Sequence, residues 1–408
     1  MKLGPHHLTY CTNIHPGERW NEVQATLHTY LPVVRQQLAL EEPFGIGLRL
    51  SSLATEDILT DGQLGSFHDW LAERNFYVFT MNSFPYGGFH HQRVKDDVHR
   101  PDWTSPERLR YTVRSFDVLA QLLPKGIDGS ISTSPLSYKL WHPTEAARNQ
   151  VREQATHQLA QIAEYLYRLH QTTGQHLHLD LEPEPDGLLE NTQEVIHYFD
   201  EWLLPRGGSY LQQQLGISPD EAERCLRRHI QICYDVCHFA VEYEQPREVF
   251  ARWQQAGIKV GKIQISAALR AALPPAVPER ASVTRAFESL VESTYLHQVI
   301  ARTTRDTLVH YHDLPEALAH VNQADIQEWR THFHVPIFVA NYGSLAATQS
   351  DIKEVLDMLR TEEMMSGQQA PHLEVETYTW EVLPSEIQLE LGESIARELQ
   401  WVRDYYNA

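Results

Sequence analysis

The stretch His176-Leu-His-Leu-Asp-Leu-Glu182-Pro-Glu184-Pro-Asp186-Gly187 alternates polar with apolar side chains and then closes on two carboxylates set between prolines. Period two is the pattern of a strand. Proline fixes its own φ and pushes the residue before it toward extended backbone, so Glu182 and Glu184 stand on a stiff support at the strand's mouth. A strand with a polar end invites a search for others of the same kind. Short β-rich runs recur at His7–Asn13, Phe44–Leu50, Phe76–Met81, Gly126–Ser132, His229–Val236, Lys259–Ser266 and His372–Trp380, with Gln175–Glu182 as the fifth of eight.

The intervals between them read as helices. Trp20–Ala39 carries Trp20, Val23, Leu27, Leu31 and Val34 at spacings of three and four, with Pro32 as its one defect, and Ala146–His170 does likewise without a proline. Ser105-Pro106-Glu107 puts a cap, a first-turn proline and an acid in order, a helix start before Leu109. Strand and helix alternating along 408 residues fit a closed (β/α)8 TIM barrel or a doubly wound open sheet. No strand–helix turn carries a dinucleotide fingerprint or a phosphate-binding P-loop. The pair Gly45-x-Gly47 lies inside a strand and reads as a packing device.

In a barrel, chemistry sits at the C-terminal ends of strands. Asn13 and His15 follow the first run, Arg49 and Ser51 the second, Asn82 the third, and Ser132 and Ser134 the fourth. The sixth ends in Asp235-Val-Cys-His238, whose carboxylate and imidazole suit Mn²⁺, Fe²⁺, Co²⁺ or Zn²⁺ better than Ca²⁺. The seventh offers Gln264 and Ser266, and the eighth Glu374 and Glu376, which share a face at period two. Acids crowded on a barrel interior repel one another and lose hydration unless a cation compensates. Glu182, Asp235, Gln264 and Glu376 therefore read as one constellation around one divalent ion.

About a hundred residues separate the seventh run from the eighth, roughly twice the other intervals. Within them, Thr307–Leu314 and Thr331–Phe338 are strand-like with histidines at alternate positions, and Val283–Arg302 reads as a helix. Residues 267–340 are expected to form an insertion over the mouth of a single domain spanning 1–408, with His334 within reach of the same ion. Asn13, Arg49, Asn82, His90, Lys139 and His238 supply donors for a small hydroxylated substrate.

Lys+Arg 34 against Asp+Glu 54 leaves a formal charge of −20, which opposes a nucleic-acid partner. No apolar run approaches the roughly 20 residues of a membrane span, and the N-terminus shows no signal core, so a cytoplasmic location is expected. Cys11, Cys225, Cys233 and Cys237 lack the spacing of a zinc or disulfide framework and read as buried thiols.

The segments Phe84-Pro-Tyr-Gly-Gly-Phe-His90, Leu179–Gly187, Tyr234-Asp-Val-Cys-His238 and His332-Phe-His-Val-Pro336 resemble the EboE-type metabolite traffic proteins of the xylose-isomerase-like TIM-barrel superfamily. That superfamily also holds sugar epimerases and endonuclease-IV-type phosphodiesterases. The resemblance implies a TIM barrel in which Glu182, Asp235 and Glu376 bind a divalent ion (Mn, Zn, Co, Fe or Mg) with a fourth ligand from the seventh strand or its loop. Epimerases of the group usually place a histidine on the seventh strand. Here Gln264 stands there, so Gln264 and His334 are rival fourth ligands.

An isomerase or epimerase of a sugar or similar small metabolite would then use Glu182 and Glu376 to remove and return a proton through an enediolate. The alternatives are a metal-dependent phosphodiesterase and a non-catalytic carrier.

Overall fold

The computed structural model describes residues 1–88, 94–361, 369–380 and 389–408. Parallel strands β1 (His6–Tyr10), β2 (Phe44–Arg49), β3 (Phe76–Asn82), β4 (Gly129–Thr133), β5 (Leu177–Leu181), β6 (Ile230–Asp235), β7 (Val260–Ile265) and β8 (His372–Val375) share one sheet. They pair in the order β1-β8-β7-β6-β5-β4-β3-β2. The sheet curls until its edges meet. Cys11 bridges Gly47 in parallel, while the Thr9 hydroxyl donates to the Gly45 carbonyl at 2.8 Å and accepts from the Gly47 N–H at 3.1 Å. Curling removes the exposed edge that an open sheet would leave. All four cysteines are free and buried.

Local chemistry sets the helix ends. Helix Pro106–Leu122 opens on Ser105, whose hydroxyl accepts from the Glu107 N–H, with Pro106 in the first turn where no donor is needed. Helix Glu145–Thr173 opens on Thr144 and stops at Gly174 in the left-handed region, φ 74°. Helix Trp20–Gln37 continues through Pro32, because Leu27, Leu31 and Val34 on either side of it are buried and hold the segment down.

The barrel interior is polar at its middle and explains the glycine in β2. A Cβ built on Gly47 would lie 1.8 Å from Oε1 of Glu374, a contact no side chain tolerates, so the glycine makes room for a carboxylate. Gly47→Ala is expected to displace Glu374 and cost about 1–3 kcal/mol or more, read as a lower urea midpoint. An unchanged midpoint would show that this carboxylate moves freely.

Between β7 and β8 lies a second, antiparallel sheet. Its order is Leu308–Tyr311, Val299–Thr303, Ile326–Thr331, Leu269–Ala272, Leu345–Ala347, Asn341–Tyr342. Two readings change here. The helix stops at Glu288, and Val299–Thr303 is a strand because Val299, Ile300 and Ala301 are buried between two antiparallel neighbours. The run expected from Thr331 ends as a strand at that residue, and His332 onward crosses toward the barrel, tied by Val335 N–H to the Ala267 carbonyl at 3.0 Å. Among the described residues no helix is long and apolar enough to cross a membrane.

Candidate metal centre

Glu182 leaves β5 with its N–H on the Thr133 carbonyl at 2.9 Å, so its side chain is carried by the barrel rather than by a loose loop. Asp235 ends β6 and caps the short helix Val236–Val241. Its Oδ1 accepts from the His238 N–H at 3.1 Å and from the Ser266 hydroxyl at 2.7 Å. Glu376 follows β8, and its Oε1 accepts from the Asn13 amide at 2.6 Å and the Asn82 amide at 3.2 Å. One carboxylate oxygen from each of Glu182, Asp235 and Glu376 lies within 4.8 Å of the others. Oε2 of Glu182 and Oδ2 of Asp235 are buried with no hydrogen-bond partner among the described residues.

Three imidazoles close the other side. Nδ1 of His238 faces the Pro183 carbonyl at 3.0 Å and Nδ1 of His334 the Glu376 carbonyl at 3.1 Å. Nδ1 of His332 faces Oε1 of Gln298 at 2.8 Å, an amide oriented by its own donation to the Pro185 carbonyl. Oxygen acceptors at all three Nδ1 atoms place the proton there and leave Nε2 with a lone pair. Nε2 of His238 and Nε2 of His334 each lie 3.8 Å from Oδ2 of Asp235, and the Nε2 atoms of His332 and His334 face each other at 3.3 Å. Lone pairs and carboxylate oxygens converge there. A divalent cation satisfies that arrangement, and histidine ligands anchored through the opposite nitrogen are its usual companions.

The electrostatics agree. Burial, then Asp235 and Glu374, push the Glu376 carboxyl up to about 8, and burial, Glu376 and Asp235 raise Glu182 well above the carboxylate range. Burial lowers the His334 imidazole to about 4, keeping it neutral and able to ligate.

The expected site residues divide cleanly. Asn13, Asn82, Glu182, His238, His334 and Glu376 line one pocket, a small cavity of about 80 Å³. Asp235 lies behind them, fully buried. Gln264 pairs in register with Asp235 on one side and Glu374 on the other, with both amide atoms buried and unpartnered, and it does not line the pocket. Glu374 turns instead to Lys262, Oε2 to Nζ 2.6 Å, which leaves Glu376 to face Asp235 and Glu182.

Arg49 and Lys139 are not brought to the pocket. The Arg49 guanidinium donates to the Gly17 carbonyl at 3.1 Å and to the Gly87 carbonyl, stapling two loops. Lys139 is held by Glu190 and Glu194. His90 lies outside the described residues.

Sequence reasoning missed His332, Gln298 and the aromatic wall of Tyr295 and Tyr378. His-x-His was visible, but only the extended crossing after Thr331 puts both rings on one face. Tyr378 stacks on His334 at 4.5 Å between centroids. Glu184 is taken by His99, Nε2 to Oε1 2.8 Å, and so supports the wall.

The fold is that of the xylose isomerase-like TIM-barrel proteins. The chain superposes over its full length on 98% of a xylose isomerase-like TIM-barrel protein from Mycobacterium smegmatis solved in complex with magnesium, at 10% identity and TM-score 0.51. Weaker likenesses are a protein named IOLI with a zinc atom (10% identity, TM-score 0.45, 98% of this chain and 99% of that one) and a xylose isomerase domain protein from Alicyclobacillus acidocaldarius (12%, TM-score 0.44, 99% of each). No protein-family model and no curated protein matches the sequence.

Proposed function

We propose that this chain is a divalent-metal-dependent enzyme of the isomerase or epimerase kind, acting on a small hydroxylated metabolite, and that it belongs with the EboE-type proteins. The scaffold is a (β/α)8 barrel in which residues 267–340 cover the mouth. The observation that carries this reading is a pair of ligand triads sharing Asp235, Glu182 with Glu376 on one side and His238 with His334 on the other, with two buried carboxylate oxygens unpartnered among the described residues. His334, not Gln264, serves as the fourth ligand, since its Nε2 is turned to Asp235 while Gln264 lies outside the pocket. A bound divalent ion would supply Lewis acidity, acidifying a C–H beside a substrate carbonyl.

The chain's residues do the rest. Glu182 and Glu376 approach from different strands and hold or accept the proton, each contribution being typically ~10²- to 10⁴-fold. Asn13 and Asn82 orient Glu376. His238, at the pocket wall, is placed to meet a substrate hydroxyl. Phe84, Val98 and Leu296 contribute apolar lining to the same pocket.

One observation favours a second reading. Three inward Nε2 lone pairs exceed what one four-coordinate ion needs, and phosphodiester hydrolysis commonly uses two or more ions. The test is deuterium uptake from solvent into candidate ketoses, run beside cleavage of a generic phosphodiester, after loading with Mn²⁺ or Zn²⁺. Exchange that depends on metal and on Glu376 is the expected result. Cleavage without exchange moves the assignment to a hydrolase, and neither activity moves it to a binding protein.

A further inference from the structure

A second group of ligating side chains converges on the barrel rim and shares no residue with the first. Glu190 lies in the loop after β5, Glu242 follows helix Val236–Val241, and His310 stands on strand Leu308–Tyr311 of the second sheet. One ligand atom from each lies within 4.8 Å of the others. Both carboxylates are buried, Glu190 at 8% and Glu242 at 7% exposure.

The surroundings do not neutralise them. Asp186, Glu190, Glu194 and Glu242 bring four carboxylates, against Lys139 as the one permanent cation bonded to the group among the described residues. Lys139 is committed to Glu190 and Glu194. Oε1 of Glu190 accepts from the Asp186 N–H at 2.8 Å and lies 3.9 Å from Nδ1 of His310. His312 is engaged with Asp186 at 3.0 Å. That leaves Glu242, whose Oε1 is buried with no hydrogen-bond partner among the described residues. An isolated buried carboxylate oxygen is expensive, and burial followed by Glu190 pushes this carboxyl well above the ordinary range.

We propose that Glu190, Glu242 and His310 form a second divalent-cation site that fastens the strand Leu308–Tyr311 to the barrel. Two oxygens and one imidazole nitrogen suit a borderline ion such as Zn²⁺ or Mn²⁺, with water in a remaining position. The three ligands come from the β5 loop, the β6 helix end and the second sheet, so the ion cross-links elements that the chain otherwise connects only at a distance. The pocket wall at Tyr295 and Leu296 runs directly into strand Val299–Thr303, the neighbour of Leu308–Tyr311. Filling the rim site therefore firms one side of the pocket without touching the first centre.

The experiment strips the full-length protein with a chelator and counts Zn²⁺ equivalents retained after reloading. Wild type, Glu376→Gln, His310→Ala and Glu242→Gln are compared, with hydrogen exchange followed over 308–311. His310→Ala changes a side chain that is 39% exposed, so it is expected to fold. His310→Ala and Glu242→Gln should each retain one equivalent fewer than wild type and lose the Zn²⁺-induced protection of 308–311. Glu376→Gln should keep that protection. The site is overturned if both rim variants retain as much Zn²⁺ as wild type, or if Zn²⁺ protects 308–311 equally in His310→Ala. A loss confined to Glu376→Gln would support the first centre alone and reject the second.

Discussion

Glu376→Gln is expected to stabilise the metal-free protein at neutral pH while lowering its affinity for a divalent ion by about 100-fold or more, as loss of a charged ligand should. The two effects have one source. Without an ion the Glu376 carboxyl stays protonated up to about pH 8, against 4.5 for its ordinary value. A carboxyl whose folded pKa is raised adds nothing below pH 4.5, where both states hold the proton. Above it the unfolded chain releases the proton and the folded one does not, so stability falls as pH rises through the window from 4.5 to 8. At pH 7 the penalty is about 3 kcal/mol.

Glutamine keeps the shape and an oxygen for Asn13 and Asn82, and it removes the titration. In the wild type a bound ion removes the same penalty by pairing the ionised carboxylate, and at a hundred times its dissociation constant it adds about 2.7 kcal/mol. Melting curves across pH 5–8, with chelator and with Mn²⁺, read both halves. Wild-type ion affinity should rise with pH over that range, and the variant's pH dependence should be flatter. A variant that melts earlier than wild type in chelator makes Glu376 a structural residue, and one that binds Mn²⁺ as tightly as wild type removes it from the ligand set.

How much of this was legible depended on whether the deciding partner was near in the chain. Glu182 was legible because its own prolines fix its support, and Asp235-x-x-His238 because a strand end and a helix cap fall within four residues. The polar strand ends gave five of the pocket's residues, Asn13, Asn82, Glu182, His238 and Glu376, for the same local reason. Glu374 and Glu376 could not be told apart, since period two puts both inside the barrel. What separates them is Lys262 on β7, more than a hundred positions away, which claims Glu374.

Arg49 and Lys139 looked available because nothing in the sequence shows that loop carbonyls and Glu190 with Glu194 hold them. The strand Val299–Thr303 was hidden within a segment whose apolar spacing also fits a helix, and only pairing with Leu308–Tyr311 and Ile326–Thr331 fixes it. His332 needed the extended crossing after Thr331.

Lys262→Met is expected to destabilise the metal-free protein by about 3–5 kcal/mol, the range for stripping one partner from a buried ion pair. Lys262 and Glu374 are both fully buried, 2.6 Å apart, and Nζ is 3.3 Å from the Ser132 hydroxyl and 3.4 Å from the Met81 carbonyl. Burial works against the ammonium, and Glu374 overcomes it, holding the lysine above its ordinary value. With methionine there, the buried Glu374 carboxylate has lost the counter-charge beside it.

The loss should reach the metal centre too, because Lys262 is the cation that eases both Glu182 and Glu376. Removing it favours their protonated forms, so in chelator both carboxyls should titrate at higher pH in Lys262→Met than in the wild type. Adding Glu374→Gln to Lys262→Met removes the stranded charge and is expected to restore most of the stability, since a buried pair replaced as a unit is often close to neutral. Urea unfolding of the two single variants and the double one, all in chelator, gives the coupling directly. A double variant no more stable than Lys262→Met alone would show that the lysine's hydrogen bonds to Ser132 and Met81, rather than its charge, hold the barrel interior together.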